Sequence, residues 1–76
     1  MIEIRMPKYG ISMLEGEVVT WFKAVGDKVE KGEAVLEFSE SKAVHEVEAP
    51  EAGTLTAIYV HEGETVAIGT VLGILE

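Results

Sequence analysis

Gly16-Glu17-Val18-Val19-Thr20-Trp21-Phe22 and Gly53-Thr54-Leu55-Thr56-Ala57-Ile58-Tyr59 stand 37 residues apart and follow one pattern. The register continues beyond them: Gly26 falls on Gly63, Gly32 on Gly69, Val29 on Val66 and Phe38 on Leu75. Each copy reads glycine, apolar run, Gly-acid turn, valine, glycine, second apolar run. The two copies fill nearly the whole chain. A solenoid wants three or more repeats, because its terminal units leave faces open. Two copies instead imply two halves related by an approximate twofold axis, each covering the other's apolar face.

Working outward from the repeat, Val, Ile, Thr, Trp, Phe and Tyr gather in short runs typical of strands. The runs are Ile2–Met6, Glu17–Ala24, Ala34–Ser39, Ala43–Ala49, Thr54–His61 and Thr70–Leu75. Val25-Gly26-Asp27-Lys28 and His61-Glu62-Gly63-Glu64 supply turn chemistry between them. No stretch sustains a 3.6-residue apolar period with capping signals, so no helix is expected. Met13–Glu17 is the expected loop of the first half. The class is all-β: two three- or four-stranded sheets packed face to face as a flattened barrel or sandwich of interlocked halves.

Composition narrows the function. The 76 residues include 6 basic and 14 acidic side chains, a net charge of −8. This length suits a single domain, residues 1–76, with a modest core. The acidic balance argues against DNA, RNA or an anionic membrane, since a phosphate backbone calls for a basic footprint. The absence of cysteine removes disulfides, zinc-thiolate sites and cysteine catalysis. No apolar run approaches the roughly 20 residues of a membrane span. The first residues lack a basic-then-apolar leader pattern, so the cytoplasm is the default compartment.

The junction of the two halves is Glu40-Ser41-Lys42-Ala43. Flanked by the runs Ala34–Ser39 and Ala43–Ala49, it reads as a tight hairpin turn. Lacking glycine, it suits a type I turn, which needs no positive φ. Lys42 then stands exposed at the tip. A shift of 37 residues places Arg5 opposite Lys42, so tip and chain termini belong at opposite ends. Along Ala43–Ala49, alternation puts His45 with Ala43, Val47 and Ala49 on the apolar face, and Val44, Glu46 and Glu48 on the other.

Glu15-Gly16-Glu17-Val18-Val19, Gly26-Asp27-Lys28-Val29-Glu30-Lys31-Gly32, Glu40-Ser41-Lys42-Ala43 and Val47-Glu48-Ala49-Pro50 together resemble the lipoyl domain of 2-oxo acid dehydrogenase complexes. The resemblance runs from about Met6-Pro7 to Leu75. Its specific part is spacing: Gly32 lies 10 residues before Lys42 and Gly53 lies 11 after it. It implies a flattened barrel of two four-stranded antiparallel sheets with quasi-twofold symmetry, the barrel-sandwich hybrid. It also implies lipoate in amide linkage on Lys42, with Glu40, Ser41 and Ala43 as flanking recognition residues. The family most often has Asp where this chain has Ser41, and an aliphatic residue where it has His45. Biotinyl domains share the fold but usually set Met on both sides of the lysine; Ser41 and Ala43 favour lipoate.

The chemistry implied is a carrier's, not an enzyme's. A lysine amine titrates near 10.4 and is almost wholly charged at neutral pH. An exposed turn lysine is therefore no intrinsic nucleophile and needs an enzyme to acylate it. By resemblance, the partners are a lipoate ligase or transferase, a thiamine-dependent decarboxylase, an acyltransferase core and the flavoprotein dihydrolipoamide dehydrogenase. The parent would be the acyltransferase component of a 2-oxo acid or acetoin dehydrogenase complex. Two alternatives stand beside this: a biotinyl carrier of a carboxylase, and an unmodified adaptor of the same fold. His45 and His61 lack metal-ligand spacing, and His61 is expected in water. Trp21 and Phe22 read as core and sheet surface rather than a ligand box.

Overall fold

The computed structural model describes all 76 residues. Eight strands follow in order: β1 (Ile2–Arg5), β2 (Glu15–Trp21), β3 (Lys28–Val29), β4 (Ala34–Glu40), β5 (Ala43–Glu48), β6 (Gly53–Ile58), β7 (Thr65–Ala67) and β8 (Val71–Leu75). They form two antiparallel four-stranded sheets, β1-β8-β6-β3 and β5-β4-β2-β7. Exchanging β1 with β5, β2 with β6, β3 with β7 and β4 with β8 turns one order into the other, which is the quasi-twofold symmetry the repeat implied. Each half sends two strands to each sheet, so neither half has a sheet of its own.

The alternation that selects strands also fills the core. In β2, Gly16 and Val18 turn inward while Glu15, Glu17 and Val19 face out. Ile4, Met6, Val18, Val29, Val35, Leu36, Phe38, Leu55, Leu72 and Leu75 are fully buried, and no polar side chain is buried with them. Burying a side chain of this size contributes about 1.5–3 kcal/mol. Trp21 closes one end of the core, its indole Nε1 donating to the Val60 carbonyl at 2.8 Å. Phe22 lies on the surface beside it.

Three expectations are corrected. The sequence reading has six strands; the two it omits, β3 and β7, are two and three residues long, too short for alternation to register. Met13–Glu17 is not a loop: β2 begins at Glu15, and the connection is 6–14, with Met13 buried beneath it. Arg5 is not the counterpart of Lys42. β5 pairs His45 with Phe38 and Glu48 with Ala34; β1 pairs Ile2 with Leu75 and Arg5 with Val71. The edge strands are thus offset by 43 residues (45 − 2 and 48 − 5), not 37, and Arg5 answers to Glu48. Pro50 answers to Pro7, and the six-residue difference is absorbed by the 6–14 connection, which is longer than 49–52.

Gly73 shows how tightly the layers close. A Cβ there would stand 2.8 Å from the Ala57 carbonyl oxygen and 3.0 Å from the Trp21 ring, whereas one on Gly10 would meet nothing within 4 Å. Gly73→Ala is expected to destabilise the domain by about 1–3 kcal/mol through overpacking, and Gly10→Ala to stay within about 0.5 kcal/mol of the parent. Urea unfolding of the two variants checks this; equal midpoints would show that the sheets part readily at Gly73.

Candidate functional site

The β4–β5 hairpin is built by the longest ladder in the molecule, from Ala34 opposite Glu48 to Glu40 opposite Ala43. The Glu40–Ala43 pair leaves a two-residue loop of Ser41 and Lys42. Ser41 has φ = 53° and is the only non-glycine residue with positive φ. Lys42 therefore keeps a negative φ. This sign pattern belongs to a type II′ turn, not the type I turn expected from the residues. The reason lies in the strands: the primed turns follow their right-handed twist, whereas type I would splay them. A two-residue connection leaves no room to adjust, so Ser41 takes a position that glycine would occupy at lower cost.

Ser41, Lys42 and Ala43 are all exposed. Glu40 is half-buried at the base of the turn, with its Oε1 3.9 Å from His45 Nε2. The expected inward face of β5 is observed for three of its four residues: His45 is half-buried and Val47 and Ala49 are buried, with Val44, Glu46 and Glu48 facing water, but Ala43 is exposed because it borders the turn, beyond the cover of the core. Lys42 takes part in none of the ion pairs, which are Arg5–Glu3, Lys23–Glu33, Lys31–Glu51 and Glu40–His45. An exposed amine with no ion-pair partner, at the apex of a fixed turn, suits the attachment of a long arm that must leave the surface.

The structure adds Tyr9, which the sequence reading did not single out. Its ring stacks on Phe38 with centroids 5.6 Å apart and planes 2° from parallel. It also leans on the His45 ring at 4.8 Å, and its hydroxyl donates to the Glu46 carbonyl at 3.1 Å. The 6–14 connection is thereby tied across the hairpin that carries Lys42. Its apex presents Ile11, 96 % exposed, and Leu14, 76 % exposed. Ser12, Met13, Leu14 and Glu15 share a shallow groove with Glu40 and Ser41. The signal for Tyr9 lay in the surplus between Pro7 and Gly16, nine positions against three between Pro50 and Gly53. His61 is exposed in its turn, and neither histidine joins a group able to hold a metal ion.

Comparison with known proteins agrees with this geometry. Residues 2–75 match the biotin/lipoyl family, described as "Biotin-requiring enzyme". The chain is 49 % identical over 71 residues to the dihydrolipoyllysine-residue acetyltransferase component of the acetoin cleaving system of Bacillus subtilis, covering 93 % of this chain and 18 % of that protein. It is 39 % identical over 75 residues to the succinyltransferase component of the 2-oxoglutarate dehydrogenase complex of Staphylococcus saprophyticus, covering 99 % of this chain and again 18 % of the relative. The chain thus spans about a fifth of the length of these relatives. The solution structure of the lipoyl domain of the 2-oxoglutarate dehydrogenase complex of Azotobacter vinelandii superposes with a TM-score of 0.80 at 36 % identity, covering 100 % of this chain and 96 % of that one. These relatives are named for a dihydrolipoyllysine residue and the solved neighbour for its lipoyl domain, none for biotin, and the chain belongs to the biotin/lipoyl family as a lipoyl carrier domain.

Proposed function

We propose that residues 1–76 form one lipoyl domain of a larger dihydrolipoamide acyltransferase, and that Lys42 is its site of lipoate attachment, in a cytoplasmic complex acting on a 2-oxo acid or acetoin. The observation that supports this most directly is the lone lysine at the exposed apex of a two-residue hairpin in a lipoyl-domain frame. Attachment forms an amide between Lys42 Nζ and the lipoyl carboxyl carbon, which a lipoate ligase or transferase must deliver activated; the amine gives up its proton and its charge. When bound, the dithiolane supplies the thiol–disulfide chemistry by which an acyl group and two electrons are accepted and passed on. The chain contributes placement. The hairpin fixes the root of the arm, and tethering keeps the cargo at high effective concentration near the decarboxylase, the acyltransferase core and dihydrolipoamide dehydrogenase.

Intact mass and peptide mapping after expression with lipoate test the assignment. The expected result is a lipoyl adduct on Lys42 and none in Lys42→Gln, whose stability stays within about 0.5 kcal/mol of the parent because the side chain is exposed and in no ion pair. An adduct on another lysine, a biotin adduct, or no adduct would sink the reading. One residue inserted between Ser41 and Lys42 re-aims the tip and should lose most modification.

The left-handed backbone at Ser41 generates a separate expectation. An L-residue there costs about 1–2 kcal/mol, partly offset in a glycine variant by about 0.5–1 kcal/mol of chain entropy. Ser41→Gly should therefore stabilise the domain by roughly 0.5–1 kcal/mol in urea unfolding. Ser41→Asp should be lipoylated at least as well as the parent. A destabilised Ser41→Gly variant would contradict the turn assignment.

A further inference from the structure

A thioester carried on a tether is exposed to every free amine the tether can reach. The chain has five lysines, Lys8, Lys23, Lys28, Lys31 and Lys42, and the fold sorts the first four by distance from the tip. Lys23 Nζ lies 2.7 Å from Glu33 Oε2 and Lys31 Nζ 4.0 Å from Glu51 Oε2. The hairpin reaches their level at Ala49, whose N–H donates to the Glu33 carbonyl, and at 3.3 Å per residue this is about 23 Å along the strand from Lys42. Lys28 pairs with Thr54, which is bonded in both directions to Glu76. Thr54 and Glu76 are the symmetry mates of Glu17 and Ser39, which pair beside the tip. Lys28 therefore lies at the other end of a molecule whose longest extent is 32 Å.

Lys8 differs in place and in state. It adjoins Tyr9, whose ring lies 4.8 Å from that of His45 and whose hydroxyl donates to the Glu46 carbonyl. His45 and Glu46 follow Lys42 by three and four residues, about 10 and 13 Å along the strand. The Tyr9 N–H donates to the Met13 sulfur at 3.3 Å, so the backbone that roots Lys8 is tied down at that level. The Lys8 side chain is exposed and in none of the ion pairs, whereas Glu33 beside Lys23 holds that amine above the ordinary lysine range. With C–C bonds of about 1.5 Å, an extended run of about twelve bonds from the Lys42 Cα to a lipoyl sulfur spans roughly 15 Å. The arm covers the level of Lys8 and stops short of the level of Lys23 and Lys31.

We propose that Lys8 is a self-acylation site, taking the acyl group from the thioester carried on the Lys42 arm of the same molecule. The inference rests on the reading of Lys42 as the attachment site. The step needs no further reactant. The deprotonated Lys8 amine attacks the thioester carbonyl carbon, a C–N bond forms and the C–S bond breaks. The sulfur leaves as a thiolate, which takes up the proton that the nitrogen gives up. An amine titrating near 10.4 is free in fewer than about one molecule in a thousand at pH 7. The reaction is therefore slow and depends on the millimolar effective concentration that a short tether gives. Its product is a stable amide that withdraws one acyl group from transfer and removes a positive charge from the 6–14 connection.

The test loads the lipoylated 76-residue chain with acetyl groups. Because the chain has no cysteine, exchange of the reduced arm with an S-acetyl thioester places acetyl on the arm alone. Excess reagent is removed at pH 6, the pH is raised to 8, and peptide-resolved mass spectrometry follows each lysine. Acetylation of Lys8 is expected to outrun that of Lys28 by about tenfold or more, at a rate independent of protein concentration. In Lys42→Gln given free S-acetyl thioester, the two lysines should react within about twofold of each other. Equal rates on the loaded domain, a preference for Lys23, Lys28 or Lys31, a rate that scales with protein concentration, or a Lys8 advantage that persists in Lys42→Gln would each overturn the proposal. A second version needs no ligase: Lys42→Cys introduces the only thiol of the chain, and alkylating it with an iodoacetamide chain of lipoyl length ending in an acetyl thioester rebuilds the arm. Failure of that arm to acetylate Lys8 overturns this proposal alone. Acetylation from it, with no lipoyl adduct on Lys42 of the parent, overturns only the attachment reading.

Discussion

Two pairs of crossed backbone hydrogen bonds tie the halves of this domain together. Gly26 N–H donates to the Leu55 carbonyl and Leu55 N–H to the Asp27 carbonyl; Gly63 N–H donates to the Val18 carbonyl and Val18 N–H to the Glu64 carbonyl. The second pair is the first with the halves exchanged. Each glycine turn thus closes on the central strand of the opposite half, and its positive φ (101° at Gly26, 91° at Gly63) is what lets it do so. Because β3 then joins β6 and β7 joins β2, neither half can bury its apolar face alone. A chain this short has little core to spare, and the interlock brings Val18 and Leu55 to full burial.

The site follows from where that symmetry holds and where it breaks. It holds along β2 to β4 and β6 to β8, which gives the long β4–β5 ladder a rigid partner in β2. It breaks at the first connection, where six extra residues cross to the other sheet and lay Tyr9 on Phe38. Phe38 is fully buried and lies directly over Gly16, where a Cβ would come within 2.9 Å of the ring. The glycine that marks the repeat therefore also admits the aromatic floor on which Tyr9 and His45 rest. The symmetry mate of the β4–β5 turn is the open gap between the chain termini, so only one of the two positions carries a hairpin, and the longer connection braces it.

Legibility in the sequence tracks physical necessity. The glycine frame was readable because turns with positive φ leave almost no other choice of residue, and the inward face of β5 from His45 to Ala49 because a half-buried strand alternates; Ala43, next to the turn, escapes the pattern. The offset of β1 from β5 was not readable from a 37-residue shift, since an edge strand can slide when its connection lengthens. Only the pairing of Ile2 with Leu75 and His45 with Phe38 reveals it. The turn type failed for a related reason. Composition at Ser41-Lys42 favours type I, but strand twist and a two-residue connection overrule it. The exposed place of Lys42 at the hairpin tip was legible from its frame, and the Tyr9–Phe38–His45 cluster was not, because its members are 29 and 7 residues apart in sequence.

A carrier differs from an enzyme in what its fold must provide, and the distribution of order here matches the carrier. The grooves on the surface are open and shallow, and no polar side chain is buried. What is fixed is the base of the hairpin: a six-pair ladder and an aromatic brace. What is free is the residue at its apex. Fixing the root confines the sweep of an arm to a defined volume, while leaving its first atoms unpaired imposes no cost on departure. The strained backbone at Ser41 belongs to the same division. It sits at the boundary between the fixed and free parts, where twist matching matters more than the intrinsic preference of a single residue.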